Sequence, residues 1–365
     1  MSNEIFKSVK PTASLKVETR KQASEQTKTK KITMNSMIFT RSLLSNTSTL
    51  RGIVWKRAAI RFYSSQGPKK LPPQYSILDI KKKYSQGIPL SMVTAYDYIS
   101  ASWVNKAQCD LLLIGDSLAM TSLGYSSTTE LPLDEFKYHV KSVCRNQDGP
   151  ALVVCDMPFG SFEAGISQGI SNAIDLMKLS PRVTSLKVEV GPLAQDQYTV
   201  EFVKQLCSRG FPVMAHIGLT PQRANSLGGF KVQGNKDPMN AVELYKTAKK
   251  LQEIGCWSTV LEAVPHKVAT YITQRLSVPT IGIGAGDGTS GQVLVLSDIL
   301  GLQPTEHLPK FVKKYDSIVD QVNTSLEQYK NDVEARKFPE TGVHTFKIKD
   351  DVYDEFVQII EKENL

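Results

Sequence analysis

A (β/α)8 barrel is the fold class predicted by this 365-residue sequence, on three observations. From about Tyr75 onward, short apolar runs alternate with segments of helical period. There are eight such runs, and a barrel of eight units takes roughly 250 residues. The runs are apolar on both faces, as parallel strands are when helices cover the sheet. The length suits one large domain or two small ones.

The first run, LSMVTA (90–95), leads into Tyr96 and Asp97, placed to orient neighbours. The second, DLLLIG (110–115), leads into Asp116 and Ser117, and Leu133, Phe136, Val140 and Val143 then recur at helical spacing. The third, ALVVCD (151–156), closes on Asp156. The fourth, SLKVEV (185–190), carries Lys187 and Glu189, whose spacing of two puts both on one strand face, the interior of a barrel. The fifth, FPVMAH (211–216), ends on His216; Val242, Tyr245, Ala248 and Leu251 follow at helical period, with Gly255 as a stop. The sixth, STVLEA (258–263), holds Glu262, and Val268, Ile272 and Leu276 line one helix face after it. The seventh, TIGIGA (280–285), and eighth, QVLVLS (292–297), lie too close together for a helix between them. A doubly wound open sheet is the main rival, with GIGAGDG (282–288) as its dinucleotide loop. No long helix follows that loop and the ribose-binding acid is missing, so a tight turn after a strand is preferred.

The net charge of +8 suggests nucleic acid, but its distribution removes the suggestion. Residues 1–75 hold 15 Lys and Arg against 3 Asp and Glu, and the remainder holds 29 against 33. The barrel region is mildly acidic. No apolar stretch approaches the ~20 residues of a membrane span. The cysteines at 109, 144, 155, 207 and 256 have no zinc or redox spacing and read as small buried hydrophobes.

Residues 1–36 are Lys-rich and low in apolar side chains, and are expected to be disordered. Residues 37–63, rich in Arg, Ser and Leu, lie within a stretch free of acids and have the composition of a mitochondrial transit peptide, which implies the matrix. A disordered basic tail is the alternative. Arg61 to Ser65 resembles a matrix processing site, so translation is expected to start at Met34 or Met37 and the mature chain near Ser64. Residues 64–346 form the catalytic barrel, and 347–365 a C-terminal helical extension.

In a barrel, function sits where the strands end. Carboxylates beside apolar runs are costly to bury unless they hold a metal or move a proton. Asp116, Asp156 and Glu189 end neighbouring units and suit a hard ion such as Mg²⁺, two binding directly and one through water. Helix capping or a salt bridge is the other reading of each acid, and capping fits Asp116 before Ser117. Lys187 needs an anion, from a neighbour or a substrate, or serves as a Schiff-base lysine. His216 is either a donor to a substrate oxygen or a satisfied core histidine. Glu262, alone among apolar residues, suits a general base. A metal, an anion site and an isolated base suggest one reaction class: a chelated 2-oxo acid is deprotonated at the adjacent carbon, and the enolate attacks a carbon electrophile.

From about Ile88 to Phe346 the chain resembles the ketopantoate hydroxymethyltransferase family. The motifs are MVTAYDY (92–98), IGDSLAM (114–120), DMPF (156–159), LKVEVG (186–191), HIGLTPQ (216–222), GGFKVQG (228–234), LEAVP (261–265) and IGIGAG (281–286). The resemblance implies a metal-dependent barrel of the phosphoenolpyruvate/pyruvate superfamily, forming ring-like homo-oligomers. It implies transfer of a hydroxymethyl group from 5,10-methylenetetrahydrofolate to 3-methyl-2-oxobutanoate, giving 2-dehydropantoate for pantothenate and coenzyme A. By resemblance, Asp116 and Asp156 are direct Mg²⁺ ligands and Glu189 the third metal-site acid. Ser117, Asp116, Asp156 and Lys187 contact the oxo acid, with His216 nearby, and Glu262 accepts the proton. The chain departs from the family at Ala119, SPRVTS (180–185) and VEVG (188–191). A lyase or mutase related to isocitrate lyase would carry a Cys-bearing loop such as KKCGH, which is missing here. A barrel that has lost its activity is the third reading, weakened by the presence of every expected ligand and the base.

Overall fold

The computed structural model describes residues 73–146, 148–303 and 308–363. The expectations for residues 1–36 and 37–63, and for the start of the mature chain, lie outside the described residues.

Eight parallel strands close into a barrel in chain order. They are β1 Leu90–Thr94, β2 Leu111–Ile114, β3 Leu152–Asp156, β4 Val183–Glu189, β5 Val213–Gly218, β6 Ser258–Glu262, β7 Thr280–Ile283 and β8 Gly291–Leu294. Strand β1 pairs with both β2 and β8, so the sheet has no edge and the open-sheet alternative is excluded.

The helices are α1 Ile77–Ser85, α2 Tyr98–Lys106, α3 Leu118–Thr121, α4 Leu133–Cys144, α5 Ile166–Lys178, α6 Gln197–Ser208, α7 Ala224–Leu227, α8 Pro238–Glu253, α9 His266–Arg275, α10 Leu296–Leu300, α11 Ile318–Glu334 and α12 Asp350–Glu363. Helix α4 buries Phe136, Val140 and Val143 against the barrel, as its period predicts. Helix α8 starts at Asp237, whose side chain accepts from the Met239 N–H, and buries Ala248 and Leu251. Asp97 caps α2 through a reciprocal pair with Ser100 rather than orienting a catalytic neighbour. Helix α1 was not foreseen. Ile80 is its one fully buried residue, with Ile77 packed beside it, a stripe too short to stand out in the sequence. Ile80 joins the barrel's inner cluster, and Lys83 pairs with Asp110 just ahead of β2. Thus α1 closes the end where the strands begin.

Side chains alternate along each strand, and this sorts the core into two clusters. Leu111, Leu113, Leu152, Val154, Met214 and Val260 belong to the inner one. Leu112, Ile114, Val153, Cys155, Leu186, Val188, Ala215 and Leu261 pack outward under the helices. Asp156 has the parity of Leu152 and Val154, His216 that of Met214, and Glu262 that of Val260. Lys187 and Glu189 have the opposite parity to Leu186 and Val188. All five therefore point into the barrel, above its apolar floor, at the ends of their strands.

Strands β7 and β8 are joined by a turn without a helix. Gly284 and Gly286 hold φ of +63° and +80° there. A Cβ on Gly286 would lie 2.4 Å from His266 Cβ, so geometry and space both require glycine.

Beyond β8, α10 is a single short helix ended by Gly301 in the left-handed region. Helices α11 and α12 bury no residue. Helix α11 shows Val322, Leu326, Tyr329 and Val333 to solvent, an apolar stripe at helical spacing. Helix α12 falls within the stretch expected as a helical extension.

Candidate active site

A cavity of about 730 Å³ opens where the strands end, and Asp116, Ser117, Asp156, Lys187, Glu189, His216 and Glu262 all line it. The sequence-expected residues are thus in one place. Register explains how. Asp156 is level with Lys187 across β3 and β4, and Glu189 is level with His216 across β4 and β5. Glu262 stands beside Gly218, one step further round. Asp116 follows β2, next to β3.

Each of the three acids has one oxygen tied by an N–H group. Asp156 Oδ2 accepts from the Asp116 N–H at 2.9 Å. Glu189 Oε2 accepts from the Gln222 N–H at 3.0 Å. Asp116 Oδ2 accepts from the Gln222 side-chain amide at 2.7 Å. The capping reading of Asp116 therefore fails. Ser117 occupies the cap position of α3, and it makes no side-chain capping bond. The other oxygens are less committed. Asp156 Oδ1 lies 2.8 Å from Lys187 Nζ, yet it is buried without an aligned hydrogen bond. Glu189 Oε1 is 3.5 Å from His216 Nδ1.

Lys187 finds its anion in Asp156. Burial alone would lower its ammonium, but Asp156, Glu189 and Asp116 reverse this and hold it raised. A charged, paired amine is no nucleophile, which removes the Schiff-base reading. Lys187 Nζ also lies 3.3 Å from His216 Nδ1. An ammonium can only donate, so Nδ1 accepts and a neutral ring carries its proton on Nε2. Burial and then Lys187 lower the His216 imidazolium, which keeps that ring neutral. Its Nε2 is 3.2 Å from Glu262 Oε2 and is buried without an aligned hydrogen bond. His216 is accordingly not a satisfied core histidine. It stands between the Lys187 group and Glu262.

The electrostatics leave the acids under-compensated. Burial and then Asp156 push Asp116 up to about 7. Burial, with Asp116 next, pushes Glu189 well above the usual carboxylate range. One ammonium faces three carboxylates, so the site calls for a further cation. The hard oxygen donors fit a divalent ion, with Asp156 Oδ1 held so far by the Lys187 ammonium alone. Among the described residues, no three His, Cys, Asp or Glu side chains are gathered as a ready cage for one. The cause is local: Gln222 draws Glu189 Oε2 away, and Lys187 lies against Asp156. The arrangement fits two direct carboxylates, with Glu189 as a supporting acid.

Gln222 is the residue that sequence reasoning missed. It sits in a 3-10 turn, Pro221–Arg223, in the loop after β5. Its amide donates to Asp116 Oδ2 and, at 3.1 Å, to the Met157 carbonyl, so both hydrogens are used. Its own N–H holds Glu189. Next to it, Arg223 pairs with Asp196 at 2.7 Å, and Asp196 accepts from the Gly191 N–H at 2.8 Å. The loops after β4 and β5 are thereby stitched together. HIGLTPQ marks the segment, but a bond from one loop to an acid over a hundred positions away leaves no periodic signal. Of the departures, Arg182 lies at the start of β4, buried and donating to the Gly149 carbonyl, away from the cavity. Ala119 is fully buried in α3.

Comparison with known proteins agrees with this geometry. The ketopantoate hydroxymethyltransferase family model matches residues 74–341. The chain is 60% identical over 302 residues to the 3-methyl-2-oxobutanoate hydroxymethyltransferase of Saccharomyces cerevisiae, covering 83% of this chain and 96% of that one. It is 42% identical over 284 residues to the Emericella nidulans protein of the same name, covering 78% and 79%. Against the Arabidopsis thaliana protein named 3-methyl-2-oxobutanoate hydroxymethyltransferase 1, mitochondrial, identity is 37%, covering 84% and 90%. A solved structure of phosphoenolpyruvate phosphomutase from Streptomyces platensis subsp. rosaceus aligns with a TM-score of 0.47 at 11% identity, over 79% of this chain and 99% of that one. With a matched family model spanning the barrel and relatives at up to 60% identity among these, the chain belongs to the ketopantoate hydroxymethyltransferase family.

Proposed function

We propose that this chain transfers a hydroxymethyl group from 5,10-methylenetetrahydrofolate to 3-methyl-2-oxobutanoate, giving 2-dehydropantoate, a precursor of pantothenate. The observation that carries the reading is the separation of Glu262 from the other acids. Asp116, Asp156 and Glu189 are bound up with Lys187 and Gln222. Among the described residues Glu262 pairs with His216 alone, and its side chain is 16% exposed where those of Asp156 and Glu189 are 2%. A carboxylate at the open cavity is free to take a proton.

Asp116 and Asp156 would hold a divalent ion such as Mg²⁺, with Glu189 as the third acid of the site. When bound, that ion supplies polarisation of the ketone and stabilises negative charge on its oxygen. The chain's residues do the rest. Lys187 neutralises part of the acid cluster and offers N–H groups to the substrate carboxylate. Ser117 lines the same cavity and contacts the oxo acid. Glu262 removes the C3 proton. The Nε2–H of His216 lies 3.2 Å from the Glu262 carboxylate, placed to take up a hydrogen bond with it. Removing a proton from one carbon while charge collects on the oxygen two atoms away requires the base and the cationic groups on different walls. Strands β6 and β2–β4 provide them.

The experiment is a folate-dependent assay for 2-dehydropantoate, run with and without chelator. Turnover that needs both the folate and a divalent ion is expected. Turnover insensitive to chelation would remove the ion from this account, and no turnover with either present would reject the activity.

We also propose that the protein is a mitochondrial matrix homo-oligomer. The acid-free basic stretch 37–63 supports targeting, and relatives from Arabidopsis thaliana and Oryza sativa are named mitochondrial. The uncovered α11 stripe supports assembly. An apolar groove of about 470 Å³, lined by Trp103, Val104, Leu296, Ile299 and Leu300, lies between α2 and α10 and could seat such a stripe.

A further inference from the structure

The cavity is much larger than the oxo acid needs. Its 730 Å³ matches the ~300–1,000 Å³ of sites for drug-sized ligands, whereas a five-carbon acid fills a small part of it. The reacting groups occupy one side, on β2 to β6. The remaining arc, from β7 through β8 to β1, carries no group used by the mechanism, but it does hold Asp298.

Asp298 lies in α10, directly after β8, and lines the cavity. Its side chain is half-buried. Among the described residues its carboxylate has no ion pair and receives no hydrogen bond. Burial raises its carboxyl, and among the described residues no cation or N–H offsets the cost. A half-buried carboxylate without a partner, facing a cavity with room to spare, is a costly arrangement unless a ligand completes it. Thr128, also in the lining, adds a buried Oγ1 with no hydrogen-bond partner among the described residues.

We propose that Asp298 recognises the pteridine ring of the folate co-substrate, accepting the two adjacent N–H groups of its 2-amino-pyrimidinone edge. A carboxylate matches that edge as it matches a guanidinium, through two parallel bonds. The inference rests on the folate-dependent reading above and adds a place for the folate within it. The other surroundings suit the rest of the molecule. Phe311 packs against Gly284 at the end of β7 and Phe230 is exposed at the mouth, offering apolar faces to an aminobenzoyl ring. Lys231 and Lys310, both exposed in the lining, suit the glutamate carboxylates. Asp298, Glu262 and Asp116 line the same cavity, so a folate held at Asp298 shares one space with the oxo-acid centre.

The test measures tetrahydrofolate affinity, the KM for methylenetetrahydrofolate, and exchange of the C3 proton of 3-methyl-2-oxobutanoate with deuterated solvent. The exchange needs no folate and reports the oxo-acid centre alone. Asp298→Asn is expected to weaken folate affinity and raise its KM on the order of tenfold or more, with exchange within twofold of wild type. Wild type should also bind 2-desamino-tetrahydrofolate at least tenfold more weakly than tetrahydrofolate, a preference that the variant loses. Unchanged folate affinity in the variant overturns the proposal, as does a parallel loss of exchange, which would place Asp298 in the oxo-acid centre. Should Asp298→Asn not fold, equal wild-type affinity for the two pteridines overturns it. Wild-type protein that shows neither exchange nor folate-dependent turnover defeats the underlying reading instead.

Discussion

At the scale of single residues, the site divides its acids by what holds them. Asp116, Asp156 and Glu189 each give one oxygen to an N–H group and keep one. Glu262 sits apart beside the neutral His216. Replacing Glu262 by Gln keeps the shape and removes the base, so turnover should fall about 10²–10⁴-fold while divalent-ion affinity holds. Kinetics beside Mn²⁺ titration would measure both, and full activity in the variant would contradict the assignment. Gln222 acts through others. Gln222→Met preserves volume and removes both side-chain donations, so ion affinity should fall about 10–100-fold in titrations of folded protein. Unchanged affinity would reduce Gln222 to packing. Asp116, Asp156, Lys187, Glu189, His216 and Glu262 were readable in the sequence because a polar residue at the end of an apolar run stands out. Gln222 and Asp298 were not. They lie in segments after strands, and their meaning comes from what the closed barrel brings next to them.

Among elements, the strands were the most legible part. Buried β-branched runs of similar length predict a parallel sheet, and side-chain parity then decides which residues face inward. The missing helix between β7 and β8 was legible too, from chain length alone. Its turn depends on Gly286, where an added Cβ meets His266 and φ is positive. Gly286→Ala should therefore destabilise the protein by about 1–3 kcal/mol in denaturant unfolding; a neutral result would mean that the turn relaxes freely. Helix α1 was hidden because it buries one side chain. Helix α11 shows an apolar stripe that the barrel does not cover, so its partner cannot be read from this chain's own periodicity. If the stripe joins copies, Leu326→Glu should lower the mass measured by light scattering and leave the helical circular dichroism intact. A variant of unchanged mass would show that α11 serves something else.

For the whole molecule, the central feature is an excess of buried negative charge at one end of the barrel. Asp116 is held up to about 7 against an ordinary value of 3.8. Between those values the folded chain keeps a proton that the unfolded chain has lost. Stability of the ion-free protein should therefore fall as pH rises from about 4 to about 7, with Glu189 contributing in the same direction. Asp116→Asn should flatten that fall in melting curves taken in chelator, and an identical slope would show that Asp116 is not the group responsible. The excess charge was legible in outline, since acids recur at the ends of neighbouring runs. The single ammonium among them was legible as well. What periodicity could not show was the cavity's unused arc.

Exchange of the C3 proton of 3-methyl-2-oxobutanoate with deuterated solvent tests the central claim most directly, because it isolates the step assigned to Glu262. With a divalent ion and without folate, the wild-type protein should exchange that proton, and Glu262→Gln should lose the exchange while keeping its fold. Wild-type protein that binds the ion and the oxo acid but leaves the proton in place would contradict the account.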